Sequence, residues 1–451
     1  MARRTTRALA VASKVSAPLV IGILVTVALA GEARRTVVQR HLNTPTIASA
    51  SMSSDGRFVA FESLARLVAT DTNHVSDVYM LNIDSGHLEL ISVGVNGTAS
   101  TDTSSTPRLS GDGRYVVFDS VAPRPRASCV TVFLRDRQQT AARPIATAWG
   151  DTSRIVCARR PVISTDGQWV AFESSAQDLV EGIDANGSQS DVYVVNRSTG
   201  LATRVSVASD GTQSPAGSSY AASVSATGRL VAFTSTACLD GGPSNSSTRS
   251  ALAPCTPRVY VRDLVAGVTR GVSAPGGSRP NGSTYSPALS AEGRYVVFVS
   301  TATNLAPGDT NDAPDVYAYA LESESVELVS RTPSGKAGNG ASFRPASSDN
   351  GRFVAFDSTA SDLICDGRCA ARDRDHNLVS DVFVLDRESG RMRRYSQEVT
   401  GEPWWTPSIG PVLDGAARVI AFSSRHAIDA RDVRADFDLF VLHVVFATGP
   451  F

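Results

Sequence analysis

The chain has 451 residues, 42% of them hydrophobic, and a formal net charge of −1 at pH 7. A charge so close to zero creates no bulk field that would draw the protein to nucleic acid or to an anionic membrane surface. A nucleic-acid partner is therefore excluded, and membrane contact is predicted only through the N-terminal segment.

The N-terminal segment has the composition of an export signal. Arg3, Arg4, Arg7 and Lys14 precede an apolar stretch over residues 17–30 that ends in Ala-Leu-Ala. A basic region, a short apolar region and an Ala-x-Ala sequence predict a secretory signal peptide over residues 1–30, and an uncleaved membrane anchor is the alternative. Both interpretations place the rest of the chain outside the cytoplasm, as a secreted, periplasmic or cell-surface protein.

A short phrase then recurs seven times along the chain. It consists of a turn ending in Gly or its equivalent, an Arg or Gln, and an apolar run that closes on Phe; the first copy reads Ser-Asp-Gly-Arg-Phe-Val-Ala-Phe at 54–61. The closing residues lie 54 to 66 positions apart and are Phe61, Phe118, Phe172, Phe233, Phe298, Phe356 and Phe422. Self-similarity of this kind indicates a repeat architecture.

Each copy of the phrase belongs to a unit of four short strands. In the fifth unit, runs rich in Val, Tyr, Phe and Ser occupy 285–290, 294–300, 315–321 and 326–330, separated by turn-forming residues. No part of the chain after the N-terminal segment shows sustained helical periodicity, so the fold is predicted to be all-β. Seven four-stranded antiparallel units predict a seven-bladed β-propeller. An open solenoid is the alternative, but it needs capping repeats that the sequence lacks.

The two ends of the repeat region complement each other. The last unit, at about 404–446, supplies a second strand at 418–424 and a third at 437–443 but no fourth, whereas residues 36–40 form a surplus strand before the first unit. We predict that this N-terminal strand completes blade seven, which leaves no open sheet edge. A single propeller domain then covers residues 36–446.

The repeated phrase also supports a resemblance to a known family. Together with Ser-Asp-Val-Tyr at 76–79 and 190–193 and Ser-Asp-Val-Phe at 380–383, it resembles the TolB-like, WD40-like propellers. The resemblance covers roughly residues 36–446 and implies the propeller architecture. It implies no single activity, because members of the family include translocation scaffolds, propeller domains of peptidases and sugar-acid lyases.

The six cysteines fall into local pairs once the repeats are aligned. The alignment predicts three disulfide bonds, Cys129–Cys157, Cys238–Cys255 and Cys365–Cys369, as an oxidising compartment permits. Cys365, Cys369 and His376 could instead form part of a zinc site, although a fourth ligand is missing.

Loop length differs between the two ends of the predicted blades. The first-to-second and third-to-fourth turns are short and share one rim, which we call the turn rim. The second-to-third loops and the connections between blades are long and variable, and they share the opposite rim, which we call the loop rim. Since binding residues concentrate on long loops held by a rigid scaffold, the candidate site is predicted at the loop rim.

Acidic loops recur on the loop rim. Carboxylate and amide residues followed by an Asp at the start of strand three occur in four blades, as Asp71, Asn73 and Asp77; Asp184, Asn186 and Asp191; Asp309, Asn311 and Asp315; and Asp373, Asp375, Asn377 and Asp381. These oxygens suit calcium, which takes six to eight oxygen ligands. Alternatively, they form Asx turns that satisfy the loop backbone. Calcium is therefore the possible cofactor of these loops.

Aromatic residues mark a second candidate site. Tyr220, Tyr285 and Phe343 lie eight residues before the turn glycine of blades four, five and six, and we assign Trp405, beside Trp404, to the matching point of blade seven. The same count gives Ala48, Ser105 and Arg159 in blades one to three. The pattern predicts an aromatic crescent at the channel mouth that would suit sugars or extended peptides; packing between blades is the alternative.

Catalytic motifs are absent from the sequence. It contains no Gly-x-Ser-x-Gly elbow, no nucleotide-binding glycine motif and no His-x-x-x-His pair. This favours a non-catalytic exported scaffold that binds a protein or a cell-envelope glycan through its loop rim. The plentiful carboxylates leave a rival hypothesis, a calcium-assisted polysaccharide lyase or a carboxylate-based glycoside hydrolase.

Overall fold

Each copy of the repeated phrase forms the second strand of an antiparallel sheet in the computed structural model. The structure describes residues 25–26, 36–37, 46–94, 97–122, 129–240, 255–272, 274–365, 367, 375–397, 403–426 and 437–443. Seven such sheets follow one another along the chain, so the predicted seven-bladed propeller is confirmed. A single 3-10 turn, Pro275–Gly277, is the one helical element within these ranges.

The strands of blades one to three are short. They are Thr46–Met52, Phe58–Ser63, Asp77–Asn82 and Leu88–Leu90 in blade one; Ser104–Leu109, Tyr115–Ala122, Cys129–Asp136 and Ala142–Pro144 in blade two; and Arg159–Ile163, Trp169–Ser174, Asp191–Asn196 and Ala202–Arg204 in blade three. A hairpin of Thr147–Ala148 and Asp151–Ile155 stands between blades two and three.

Blades four to seven repeat the pattern. Their strands are Ser219–Val224, Leu230–Ser235, Arg258–Asp263 and Val268–Gly271; Thr284–Leu289, Tyr295–Ser300, Asp315–Ala320 and Val326–Leu328; Ser342–Ser347, Phe353–Ser358, Asp381–Asp386 and Arg391–Arg394; and Ser408–Leu413, Val419–Ser424 and Asp438–His443.

The central strands are buried on both faces because neighbouring blades pack against them. Every residue of Phe58–Ser63 and Phe353–Ser358 is buried. The closing Phe of the phrase stacks on the aromatic residue opposite it in strand three, as Phe61 does on Tyr79 with ring centroids 6.0 Å apart. The apolar runs of the phrase are therefore continuous rather than alternating, since no face of these strands meets water.

Backbone hydrogen bonds between successive first turns close the ring at the turn rim. They run from Ser54 to Gly111, Gly111 to Thr165, Asp166 to Ala226, Ala226 to Ala291, Glu292 to Asp349, Asp349 to Gly415 and Gly415 to Ser54, with N···O distances of 2.8–3.0 Å. We call this cycle the turn belt. The first strands of neighbouring blades are also in contact around the whole ring, including that of blade seven with that of blade one. The first strands therefore surround a central channel.

The predicted closure by the N-terminal strand stays a prediction. Blade seven has three strands among the described residues. Residues Thr36–Val37 pair with Val25–Thr26 in a separate two-stranded ladder, and residues 38–40 lie outside the described ranges. No helix among the described residues is long and apolar enough to cross a membrane.

The disulfide prediction is correct for one pair and wrong for another. Cys238 and Cys255 are bonded, with Cα atoms 5.8 Å apart. Cys365 is also disulfide-bonded, and its predicted partner, residue 369, lies outside the described residues. Cys157 carries a free thiol, so the predicted bond to Cys129 is not formed. The two segments are neighbours, because Ala158 N–H donates to the Val130 carbonyl at 3.0 Å; the alignment predicted their proximity but not their bonding.

Candidate functional site

A backbone irregularity lies at the loop-rim end of the first strand in the blades. The ladder with strand two shifts register there, for example between Tyr285 and Ala288. One residue near the start of this strand, the second in blade three and the third in the other blades from two to seven, adopts a positive φ; these residues are Thr106, Arg160, Ala221, Ser286, Arg344 and Gly410, with φ between 48° and 65°. Non-glycine residues rarely adopt this conformation, and bulges of this kind redirect side chains near binding sites. We call these six residues the bulge residues.

Buried carboxylates hold four of the bulge residues in place. The residue after the closing Phe is acidic in blades one, two, three and six, as Glu62, Asp119, Glu173 and Asp357, and each is at most 5% exposed. Each carboxylate accepts the backbone N–H of the bulge residue in the next blade, namely Thr106, Arg160, Ala221 and Gly410, at 2.7–3.1 Å. These acids were not among the residues predicted from the sequence, although an acid immediately after the closing Phe is a signal that the sequence contains.

Arginine side chains lie against two of these carboxylates, those of Glu173 and Asp357. Arg159 Nε lies 3.3 Å and Arg160 Nη1 3.6 Å from the Glu173 carboxylate, and Arg344 Nη1 donates to Asp357 at 2.7 Å. The three arginine side chains are 51–59% exposed, whereas the two carboxylates are at most 1% exposed. The groups offered to a ligand at this mouth are therefore cationic.

Burial raises the pKa of three of these carboxyl groups, those of Glu62, Asp119 and Asp357. Desolvation raises the pKa of Asp119 to about 6 against the opposing effect of the Arg160 N–H and Thr106 hydroxyl donors. Desolvation likewise raises the pKa of Asp357 to about 6, opposed by Arg344, and raises the pKa of Glu62. The buried acids are therefore poorly solvated anions held in place by their donors.

The predicted aromatic crescent exists on three consecutive blades. Tyr220, Tyr285 and Phe343 immediately precede the bulge residues of blades four, five and six and are partly exposed. Tyr285 and Phe343 also pack against the hydrophobic core between blades five and six. Tyr285 and Phe343 therefore pack in part between blades, as the alternative interpretation expected, and ligand binding by the crescent stays a prediction.

The assignment of Trp405 to the crescent is wrong. Ile409 pairs with Ser423 in blade seven as Tyr285 pairs with Val299 in blade five, so Ile409 is the matching residue. Ala417, with φ 53°, takes the place of the turn glycine in blade seven, and counting eight residues back from it gives Ile409, so the assignment of Trp405 departed from the spacing of the other blades.

The two tryptophans lie in different environments, both away from the crescent. Trp404 is 2% exposed and packs on Phe422, Phe440 and His426 in the core, so it offers no face to a ligand. Trp405 is 67% exposed on the loop rim and contacts His376 edge-on, with ring centroids 5.2 Å apart.

The acidic loops form hydrogen-bonded turns around the start of strand three. In blade five the Asn311 amide nitrogen donates to Asp315 Oδ2 at 2.8 Å and to the Gly338 carbonyl at 2.6 Å, while its oxygen accepts the Ala313 N–H. Asp315 Oδ1 accepts the Ser330 hydroxyl, which itself accepts the Val316 N–H. The same arrangement occurs with Asn73 and Asp77 in blade one and with Asn377 and Asp381 in blade six.

This geometry favours the Asx-turn interpretation of the loops. A calcium ligand would present its amide oxygen to the ion, whereas these amides turn their N–H groups toward the aspartates. In blade three, Arg204 lies 3.7 Å from both Asp184 and Asp191, and Asn186 donates to the Gly217 carbonyl. In blade six, Arg394 lies 3.8 Å from Asp375; residue 373 is outside the described ranges. Asp71 and Asp309 accept the hydroxyls of Tyr79 and Tyr317.

Exposed apolar side chains are concentrated on the loop rim. Eight large hydrophobic residues are exposed in the described part of the chain, and six of them lie on this rim, namely Leu64, Val130, Trp149, Ile183, Leu378 and Trp405. The other two, Leu201 and Val265, lie in turns of the turn rim. An uneven distribution of apolar surface is typical of a protein with one binding face.

Comparison with known proteins supports the fold alone. No protein-family model matches the chain, and no curated protein matches its sequence. Among solved structures, the β-propeller domain of the Trilobed protease from Pyrococcus furiosus matches with a TM-score of 0.52 and 9% identity over 90% of this chain and 100% of that one.

Two TolB structures also match. TolB from Acinetobacter baumannii aligns with a TM-score of 0.40 and 15% identity over 78% of this chain, which spans 63% of that protein. A putative TolB from Agrobacterium tumefaciens aligns with a TM-score of 0.41 and 15% identity over 81% of this chain and 97% of that one. The similarity is one of propeller architecture.

Proposed function

We propose that the protein is an exported, non-catalytic scaffold that binds part of a protein or a cell-envelope glycan at the loop-rim mouth of its channel. The observation that carries the proposal is the combination of exposed guanidinium groups at Arg159, Arg160 and Arg344 with the partly exposed rings of the aromatic crescent. Rigid aromatic side chains and arginines dominate the binding energy of many interfaces.

The architecture supports a rigid receptor at this mouth. The bulge residues belong to the first strands, which are fixed by neighbouring blades, and the opposite end of the channel is bounded by the turn belt. A site built on strands keeps its geometry without a ligand, so little ordering entropy is lost on binding. The export signal predicted over residues 1–30 supports an extracytoplasmic ligand.

Binding by purified protein to a displayed peptide library and to arrayed cell-envelope glycans tests the proposal. A Tyr285→Ala variant is expected to weaken any binding at least about tenfold through loss of its exposed ring surface. Val265→Ser, which changes an exposed residue of the turn rim, serves as the matched control and should bind as the wild type does. Equal weakening by the control, or full binding by Tyr285→Ala, would contradict the proposed site.

A second candidate function is carboxylate-based hydrolysis or lysis of a polysaccharide. Asp119, with its pKa of about 6, lies near Glu173, whose charge raises that pKa further, and Asp119 Oδ1 has no hydrogen-bond partner. Both acids already bind backbone N–H groups of the next blade, which favours a structural role. Purified protein assayed on uronic-acid polymers and glycosides, with and without chelator, tests this function. Turnover that Asp119→Asn abolishes would favour the enzymatic function, and we expect no turnover.

A further inference from the structure

The carboxylates that bind bulge residues are present before only some blades. Glu62, Asp119, Glu173 and Asp357 serve the bulge residues of blades two, three, four and seven. Before blades five and six the same strand position holds Thr234 and Val299. The backbone N–H groups of Ser286 and Arg344 therefore have no carboxylate from the preceding blade.

At Thr234 the buried side chain makes no hydrogen bond, whereas the acid at the equivalent position of four other blades binds a bulge residue. Thr234 is fully buried, and its hydroxyl has no hydrogen-bond partner. A buried hydroxyl without a partner is unfavourable by about 1–3 kcal/mol, and because this hydroxyl is fully buried, an acceptor supplied from outside the protein would bind the Ser286 N–H rather than Thr234. Ser286 itself is exposed at the channel mouth, so such a group can reach its N–H.

These two positions coincide with the aromatic crescent. Ser286 follows Tyr285 and Arg344 follows Phe343, so each N–H without a carboxylate adjoins a partly exposed ring. The Arg344 guanidinium is 51% exposed beside the second of them. Backbone N–H, guanidinium and aromatic surface together provide charge-assisted hydrogen bonds and apolar contact in one place.

We propose that the Ser286 and Arg344 backbone N–H groups bind carboxylates of the ligand, and that the ligand is an Asp- or Glu-containing peptide segment of a protein partner. The inference rests on the proposed binding function and names its ligand. At the four equivalent positions the protein places its own Asp and Glu side chains against such N–H groups. The same side chain from a partner therefore has the chemistry that this position accepts elsewhere in the ring.

Selection from a library of short random peptides, followed by affinity measurement, tests the proposal. We expect the selected peptides to be enriched in Asp and Glu, and Glu→Gln in a peptide to weaken binding at least about tenfold. Oligogalacturonate, a sugar chain that also carries carboxylates, is the probe for a glycan ligand. Selected peptides without acids, or binding of oligogalacturonate but of no peptide, would overturn the assignment of the ligand.

A second test introduces an acid at the positions before blades five and six, where the protein has Thr234 and Val299. Thr234→Glu should bind the Ser286 N–H as Glu173 binds that of Ala221, and so weaken binding of the acidic peptide at least about tenfold without lowering Tm. Thr234→Val keeps the size of the side chain, adds no carboxylate and is the matched control; it should bind as the wild type does. Val299→Glu repeats the test at Arg344, so that a folding defect in one variant does not decide the outcome.

The outcome separates this inference from the proposed function. Peptide binding that is lost in Tyr285→Ala but unchanged in folded Thr234→Glu and Val299→Glu would overturn the carboxylate inference and leave the mouth as the binding site. Binding that survives all three substitutions would overturn both.

Discussion

Gly113, in the first turn of blade two, combines a left-handed backbone conformation with close contact to the preceding blade. Gly113 has φ 68°, and a Cβ on it would lie 2.6 Å from the Phe58 ring of the preceding blade. Arg137 stacks on the other side of Phe58, with its guanidinium carbon 4.6 Å from the ring centroid. Phe58 is thus held between a turn and an arginine of the next blade, which explains why Gly and an aromatic residue recur together in the phrase. The arginine of the phrase itself, Arg57, lies over the same ring, with its guanidinium carbon 5.5 Å from the centroid.

Replacing Gly113 with Ala tests the contact between blades. The left-handed conformation alone costs about 1–2 kcal/mol for a residue with a Cβ, and the clash with Phe58 adds about 1–3 kcal/mol. Gly200→Ala is the matched control, because Gly200 has φ 72° but a Cβ there would meet nothing within 4 Å. Chemical denaturation should show a clearly larger loss of unfolding free energy for Gly113→Ala, whereas equal losses would contradict the packing role.

Asp119 should impose a measurable pH dependence on stability. Its native pKa of about 6 lies above the unfolded value of 3.8, so the native state retains a proton that the unfolded state has lost between these pH values. The unfolding free energy therefore falls as pH rises from about 4 to 6, by up to about 1.4 kcal/mol per pH unit for this group, and the effect is complete above its native pKa. Asp119→Asn should flatten the profile in that window, and an unchanged slope would refute the shift.

At the scale of the element, the start of strand three is fixed by side chains rather than by sheet pairing alone. Asp315 is fully buried and accepts hydrogen bonds from Asn311 and Ser330, which belong to the preceding loop and to the segment after strand four. Because burial raises the pKa of Asp315 to about 7, its donors are needed to hold a charge in the blade. The acidic loop is thereby part of the blade and not merely a connection.

Asn311→Asp distinguishes this role from calcium binding. A carboxylate at 311 would face Asp315 without the N–H that joins them, so we expect a loss of about 2–4 kcal/mol at neutral pH from the lost bonds and the repulsion. Thermal unfolding with calcium and with chelator provides the control. Wild-type Tm should be the same in both; a higher Tm in calcium, or rescue of the variant by calcium, would support a metal site instead.

The sequence predicted the elements well because their signals are local. The turn, the arginine and the apolar run of each phrase lie next to one another, and they gave the blade number and the central strands. The site was predicted only in part, because its geometry depends on contacts between blades. Glu62 acts on Thr106 in the following blade, and no local pattern reveals that partner. Trp405 was misassigned although the same spacing from Ala417 gives Ile409. Cys157 shows that cysteines in adjacent segments need not form a disulfide bond.

At the scale of the whole molecule, two sets of contacts can close the ring. The turn belt and the contact between the first strands of blades seven and one join the inner part of the ring. The outer part of blade seven ends, within the described residues, at the strand Asp438–His443. We predict that residues 36–40 pair with that strand, since an unpaired strand edge would otherwise remain in contact with water.

Truncation of the N-terminus separates these contributions. Removal of residues 1–40 should lower Tm by about 1 °C for each kcal/mol of strand pairing lost, because the unfolding entropy of about 2.1 cal/mol/K per residue is large in a domain of about 400 residues. Removal of residues 1–30, the predicted signal segment, keeps the closing strand and is the control; its Tm should match that of the full chain. Equal melting of the two truncated proteins would show that the turn belt and the first strands hold the ring closed without the N-terminal strand.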